Sequence, residues 1–164
     1  MKTKAILISL VLIILTSSYS VYSQKDNFTG EWKLNKEKTV LTDNQLFLSK
    51  VTIQLKNDSI LTTRVYESDY GEQYPFNENL SLNGKECKIV IYDMPRSTKA
   101  SRLATNGSIK MESATTFYGN NGEENLTAIE TWQVDKEGNT LTIKYVNKMA
   151  DNEFAGTSYY NKVK

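Results

Sequence analysis

The sequence predicts an all-β domain: an antiparallel up-and-down meander of about 8–10 strands closed into a barrel, with at most one short helix. Three observations predict it. Short segments alternate apolar and polar residues, turn signals recur about every ten residues, and no crossover helix is visible. Tight turns join antiparallel neighbours, and a flat sheet would leave exposed edges, so we expect the first and last strands to pair. A two-sheet sandwich or jelly roll remains the alternative, because periodicity does not separate the two.

Residues 1–23 have the three-part order of a cleavable secretory signal peptide. Two lysines begin it, an apolar run covers Ala5–Leu15, and a small-residue site ends at Ser23. The apolar run is shorter than the about 20 residues that a membrane-spanning helix needs, and no cysteine for lipidation lies near the site. We therefore expect residues 24–164 to form one secreted or periplasmic domain without stable membrane insertion. An uncleaved membrane anchor is the alternative.

Composition excludes several classes of function. The chain has 20 Lys and Arg against 19 Asp and Glu, so nothing attracts nucleic acid or an anionic membrane over long range. It has no histidine, which removes the usual general base and the commonest transition-metal ligand. We therefore expect no enzymatic activity, no cofactor and no metal, and we expect a monomer. Cys87 is the only cysteine, so no intrachain disulfide forms; it is predicted to be a small buried hydrophobe, with a reactive thiol as the alternative.

Ten segments have the alternating pattern of strands, and Thr140–Met149 shows it most clearly. In chain order they are Phe28–Leu34, Ser49–Lys56, Ile60–Glu67, Tyr74–Leu82, Lys85–Met94, Thr98–Thr105, Ser108–Tyr118, Leu126–Val134, Thr140–Met149 and Ser158–Val163. Asn83-Gly84 and Asn106-Gly107 are strong hairpin signals, and Pro95 is predicted to end the fifth strand. A loop through Gly156 is predicted to precede the last strand.

Two longer connections stand out. Asn35–Phe47 is the longest candidate without strand character, and it has room for one short helix or a lid. Gly119–Asn125 is a polar loop. Asp58-Ser59-Ile60 resembles an O-glycosylation signal of some exported bacterial proteins. The sequence also contains Asn-x-Ser/Thr sequons, and it leaves open whether Ser59 or any of their asparagines is glycosylated: Asn27, Asn57, Asn79, Asn106 and Asn125.

The most specific local pattern is a Gly-x-Trp on the first strand, formed by Gly30 and Trp32. With the meander that follows, it resembles the calycin superfamily of lipocalins, fatty-acid-binding proteins and avidins. The strings Thr29–Leu34, Glu130–Trp132 and Asn139–Ile143 look most like small exported bacterial lipocalin-like domains. The resemblance implies a lipocalin-like barrel.

The motif itself has a structural interpretation. Gly30 is expected to let the backbone pass close to a neighbouring element, and Trp32 to plug one end of the barrel with its ring. The resemblance further implies that a basic side chain near the last strand caps that ring. Lys162 and Lys164 are the candidates.

Polar residues on apolar strand faces are the candidate site. Arg64 lies in phase with Ile60, while Glu78 and Glu130 share parity with aromatic neighbours. Buried charges are rare unless they are paired or bound to a ligand, so an Arg64–Glu130 or Arg64–Glu78 pair inside the barrel would indicate ligand recognition. The alternative is a shifted register that leaves them solvated. The candidate ligand-binding residues are Arg64, Tyr66, Phe76, Glu78, Met111, Glu130 and Tyr145; Ser113, Thr115 and Asp93 are also in phase.

The predicted function is an exported binding protein that holds a small, mainly hydrophobic ligand, apolar or amphipathic, inside the barrel. The alternative is a protein-interaction or inhibitor-type barrel with a filled interior. Such a barrel would bind through the loops Asn35–Phe47 and Gly119–Asn125. The sequence does not identify the ligand.

Overall fold

A computed structural model describes residues 27–41, 46–119 and 122–164, and in these ranges all regular structure is β-strand. The strands are β1 (Gly30–Leu34), β2 (Phe47–Lys56), β3 (Ser59–Glu67), β4 (Gln73–Ser81), β5 (Asn83–Ile91), β6 (Met94–Arg102), β7 (Ile109–Gly119), β8 (Gly122–Val134), β9 (Thr140–Met149) and β10 (Asn152–Lys162). The described residues contain no helix long and apolar enough to span a membrane. The predicted signal peptide, residues 1–23, lies outside the described ranges and stays a prediction.

The ten strands form one antiparallel sheet in the order β4-β3-β2-β1-β10-β9-β8-β7-β6-β5. The first and last strands pair as predicted, with Trp32 opposite Lys162 and Leu34 opposite Tyr160. Because all strands belong to one curled sheet, the up-and-down, nearly closed barrel is confirmed and the sandwich alternative is wrong.

The barrel has a seam where β4 and β5 meet. These strands are the two ends of the sheet order, and no backbone ladder joins them. The predicted Asn83-Gly84 hairpin is therefore wrong: both residues begin β5, where the pairing with β6 shifts between Asn83 and Glu86. Side chains cross the seam instead. The Tyr92 hydroxyl donates to the Pro75 carbonyl at 2.7 Å.

Two other predicted boundaries are corrected. Pro95 does not end β5, because the chain turns earlier, at Tyr92-Asp93, with φ values of 48° and 63°. Two residues with positive φ suit a tight hairpin whose twist matches that of its strands. Asp93 is thus an exposed turn residue and does not face the interior as predicted. The predicted loop through Gly156 is wrong as well, since β10 already begins at Asn152.

The end of the barrel at which β1 begins is called the closed end. The buried residues there include three aromatic and six aliphatic side chains: Phe28, Trp32, Trp132, Ile53, Ile60, Leu80, Leu82, Ile109 and Leu141. The Lys162 Nζ lies 5.0 Å from the centroid of the Trp32 ring, and the indole N–H donates to the Phe28 carbonyl at 2.8 Å. Trp32 is completely buried, so it fills this end.

Gly30 makes the approach of Lys162 to Trp32 feasible. Its φ of 142° disfavours an L side chain, and a Cβ atom there would lie 2.7 Å from the Lys162 Cε. The absence of a side chain at residue 30 therefore leaves the space that the lysine stem occupies.

Candidate functional site

An ion pair lies at the centre of the barrel. Arg64 on β3 is completely buried, and its Nη1 donates to both carboxylate oxygens of Glu130 on β8, at 2.9 and 3.0 Å. Its Nε lies 3.3 Å from Glu78 Oε2 on β4. Both predicted pairs are therefore present, and the alternative of solvated residues is wrong for these three. Their role in ligand binding stays a prediction.

A second arginine joins the cluster. Arg96 on β6 donates from Nε to Glu78 Oε1 at 3.0 Å and from Nη1 to Thr115 Oγ1 at 2.8 Å. The Thr98 hydroxyl donates to the same Glu78 oxygen at 2.6 Å. The chain of contacts Glu130–Arg64–Glu78–Arg96 therefore balances two positive charges with two negative ones. It also links β4 to β6 across the seam.

Sequence reasoning missed Arg96, because Pro95 was expected to end a strand just before it. The signal that could have found it is its shared parity with Thr98 and Ala100, both of which are buried.

Aromatic rings and a thioether surround the arginines. The Arg64 guanidinium carbon lies 4.9 Å from the centroid of the Trp132 ring, whose N–H donates to Glu130 at 2.7 Å. The Met111 sulfur accepts from Arg64 Nη2 at 3.0 Å. On the other side, Arg96 lies 5.5 Å from the Phe76 centroid. These contacts hold the guanidinium planes in place and keep them shielded from water.

The electrostatics keep the cluster charged. Burial lowers the pKa of Arg64, but the charges of Glu130 and Glu78 outweigh burial and raise it above its ordinary value. Burial also raises the pKa of Glu78, but Arg64 and Arg96 outweigh burial and hold it below its usual range. Buried charges that are paired in this way are costly to separate, because removal of one partner leaves the other uncompensated.

Three buried polar atoms in this region make no hydrogen bond to the described residues: Thr62 Oγ1, Arg64 Nε and Glu78 Oε2. Thr62 lies directly opposite Glu78 in the register of β3 and β4. Arg64 Nε and Glu78 Oε2 face each other as an ion pair at 3.3 Å, so among these three atoms the Thr62 hydroxyl keeps hydrogen-bonding capacity, which buried groups ordinarily satisfy with protein, water or ligand.

Towards the opposite end of the barrel, called the open end, the inward residues of β5 and of the later part of β9 are only half-buried, whereas Leu34 on β1 and Leu48 on β2 are buried. This end carries the first connection and the turns after β3, β5, β7 and β9. On β5, half-buried Cys87, Ile89 and Ile91 alternate with exposed neighbours. Tyr66 and Phe76 stack there with ring centroids 6.0 Å apart, and burial raises the pKa of the Tyr66 phenol.

Tyr145 belongs to the same half-buried wall. Its ring lies over Gly156 on β10, where a Cβ atom would approach the Tyr145 Cζ to 2.6 Å. Of the seven predicted ligand-binding residues, the structure thus places Arg64, Glu78, Glu130 and Met111 in one central cluster. The three aromatic residues lie beside this cluster: Phe76 is opposite Arg64, Tyr145 is opposite Glu130, and Tyr66 lies two residues after Arg64 towards the open end.

Two clefts of about 480 and 720 Å³ lie away from this cluster. The first is beside Phe28 and Val134 at the closed end, and the second is on the outer face beside Lys50 and Val65. Among the described residues, no group of three or more potential metal ligands occurs. No family model matches the sequence, and no curated protein does.

Proposed function

We propose that this protein is a lipocalin-like member of the calycin superfamily and that it holds a small, mainly apolar molecule in the open half of its barrel. One observation carries the proposal: along one side of the open half, on β5 and the later part of β9, the inward side chains are only half-buried. Trp32, Ile53 and Ile60 towards the closed end are completely buried, whereas the inward residues of β5 from Cys87 onwards and of the later part of β9 are half-buried. A concave apolar wall that is accessible from one end is the common form of a small-molecule site.

In this proposal the central ion pair and the aromatic residues have different roles. Arg64 and Glu130 already satisfy each other, so a charged ligand group would have to separate a buried pair. The pair therefore forms the polar inner boundary of the ligand site and does not bind a charged group of the ligand. The apolar contacts come from Tyr66, Phe76 and Tyr145 beside that pair.

The proposal is tested by filling the open half. Ala128 is half-buried on the inner face of β8, opposite Asn147 on β9, and Ile129 beside it is exposed on the outer face. Ala128→Trp should weaken binding of the neutral dye N-phenyl-1-naphthylamine by about tenfold or more, about 1.4 kcal/mol, because the indole occupies the ligand volume. Ile129→Trp should leave binding unchanged. Two negative results together would contradict the proposal: the dye binds neither the parent nor the variants, and natively purified protein yields no extractable ligand by mass spectrometry.

A protein-contact function is the second candidate, and one observation favours it. Val40, Leu41 and Leu46 in the first connection are exposed apolar residues. Exposed apolar clusters often mark interaction sites. If this candidate is right, native mass spectrometry of natively purified protein should show a bound protein partner and no small ligand. A Val40→Ser/Leu46→Ser variant should lose that partner.

The proposal also includes export and cleavage after Ser23. Its support is the order of basic, apolar and small residues in positions 1–23. N-terminal sequencing of the protein from its natural compartment should then begin at Gln24. A chain that begins at Met1 would contradict cleavage.

A further inference from the structure

Two neutral polar side chains face the interior on the open side of the central ion pair. Ser113 on β7 follows Met111 in the same phase, and Asn147 on β9 follows Tyr145. Both lie opposite Ala128 of β8, one on each side of it. Ser113, Ala128 and Asn147 are half-buried, so this row of three borders the space in which the proposed ligand lies.

The fold does not use either polar side chain. The Ser113 hydroxyl and the Asn147 amide have no hydrogen-bond partner among the described residues, whereas the neighbouring Thr98 and Thr115 hydroxyls both have one. Polar groups withdrawn from water are ordinarily satisfied by protein, water or ligand. A primary amide on a ligand is complementary to the Asn147 amide, because each supplies a donor and an acceptor. The row is therefore a neutral hydrogen-bonding subsite.

Ala128 leaves space between these two groups. Adjacent strands lie about 4.8 Å apart, so the backbones of Ser113 and Asn147 are separated by about 10 Å, with only a methyl group between them. A head group placed over Ala128 can reach the serine on one side and the asparagine on the other. The smallest side chain of the row thus lies where a ligand head group needs space.

The surroundings determine the charge and the orientation of that head group. The two arginines and two glutamates of the central cluster are paired with each other, so the cluster offers no free counterion to a ligand. A carboxylate or an ammonium group would lose hydration at the row without compensation, which is costly. Towards the open end, the next inward pair is apolar and half-buried, Leu126 opposite Met149. An amphiphile would therefore point its head group to the row and its apolar chain to the open end.

We propose that the ligand is an uncharged amphiphile with a primary amide head group, which Ser113 and Asn147 bind over Ala128 while the apolar chain extends towards the open end. This inference rests on the proposed function, since it requires the open half to hold a ligand. The two polar side chains select a neutral group that both donates and accepts hydrogen bonds. Esters and carboxylates lack the donor, and an ammonium group lacks the acceptor.

Four ligands with equal chain length test the assignment by competition against N-phenyl-1-naphthylamine: octanamide, methyl octanoate, octanoate and octylammonium. The purified protein at neutral pH should bind octanamide about tenfold or more tighter than octanoate and octylammonium. It should also bind octanamide tighter than methyl octanoate, although the ester is more apolar, because only the amide donates hydrogen bonds. Equal or tighter binding of the ester overturns the inference.

Matched variants identify the residues responsible. Ser113→Ala/Asn147→Leu should weaken octanamide binding by about tenfold or more without weakening methyl octanoate binding, and the retained ester binding shows that the open half is intact. Ser101→Ala/Asn161→Leu makes the same changes on the outer faces of β6 and β10, and it should behave like the parent. Asn147→Asp keeps the side-chain shape and adds a negative charge, so it should reverse the order of octanamide and octylammonium.

The outcomes separate this inference from the proposed function. Dye binding with an unchanged ligand order in Ser113→Ala/Asn147→Leu or in Asn147→Asp overturns the inference and leaves the proposed function standing. If the double variant does not fold, the nearly isosteric Asn147→Asp decides alone. Absence of binding of the dye and of all four ligands by the parent overturns both.

Discussion

Arg64 has no exposed surface, and two carboxylates from different strands converge on it. A guanidinium can stay buried in this position only while its carboxylate partners stay in place, because an isolated buried charge is far costlier than a paired one. The same dependence runs in the other direction. Glu78 and Glu130 are buried because Arg64 lies between them.

Arg64→Met should therefore lower the free energy of unfolding by about 3–5 kcal/mol, because Glu130 then lies buried without its principal positive partner. Urea denaturation followed by tryptophan fluorescence measures this change. Lys99→Met, on the exposed face of β6, is the matched control and should change stability by less than about 0.5 kcal/mol. Equal effects of the two substitutions would show that the interior pair is not important for stability.

Glu78 sets a pH dependence of stability. Its folded-state pKa lies below the ordinary value, so its stabilising contribution is fully present above the unfolded-state pKa of about 4.3 and is lost as pH falls through the lower folded-state value. The free energy of unfolding should fall steeply below about pH 4.3. Glu78→Gln should be less stable at neutral pH and should show a flatter acid limb. Parallel acid limbs in parent and variant would contradict this assignment.

The residue-scale predictions succeeded where side-chain alternation alone decides the outcome. Arg64, Glu78 and Glu130 share parity with apolar neighbours, and a strand sends every second side chain to the same face. Arg96 was missed because Tyr92-Asp93 turns the chain without the glycine or asparagine that normally marks two consecutive positive φ values. Asp93, a residue type that tolerates positive φ, was the one local signal for that turn.

At the scale of elements, β1 illustrates how a short motif encodes closure. Gly30, Trp32 and Lys162 lie at the pairing of β1 with β10, and each has a separate task. The glycine leaves room for the lysine stem, the lysine covers the indole, and the indole fills the closed end. The motif and the candidate cap were visible in the sequence.

Gly30→Ala should destabilise the protein by more than Gly71→Ala does. Both glycines have positive φ, so both substitutions incur backbone strain of about 1–3 kcal/mol. Only at Gly30 does the added Cβ also meet a neighbour, the Lys162 stem, whereas no atom lies within 4 Å at Gly71. Thermal unfolding of the two variants measures the difference. Equal unfolding midpoints would mean that the Lys162 side chain moves aside without loss of stability. Close approach of that side chain would then not explain why residue 30 is glycine.

Strand boundaries were harder to predict than strand existence. Local irregularities, such as the register shifts at Leu48/Lys50 and Asn83/Glu86, depend on how neighbouring strands twist against each other. That information is not local in sequence. The Asn83-Gly84 pair is a strong hairpin signal, yet here it begins a strand that does not pair with the one before it.

At the scale of the whole molecule, the barrel is closed by two different means. Backbone ladders join nine neighbouring pairs of strands, while β4 and β5 are held across the seam by side chains. Glu78 accepts from Arg96 and Thr98 of β6, and Tyr92 reaches the Pro75 carbonyl. The sequence predicted a barrel and the pairing of its first and last strands. It did not predict the seam, because closure depends on the accumulated twist and register of all ten strands.

The seam should be the part of the barrel that opens most readily. Strands β4 and β5 each have one paired edge, whereas β9 is paired on both sides, so fewer of their amides are protected by ladder hydrogen bonds. Hydrogen–deuterium exchange followed by mass spectrometry should show faster exchange in peptides covering β4 and β5 than in the peptide covering β9. Glu78→Gln removes the charge that links β4 to Arg96, so it should accelerate exchange in β4 and β5 more than in β9. Uniform acceleration across all three strands would indicate global destabilisation and would refute the assignment of Glu78 to the seam.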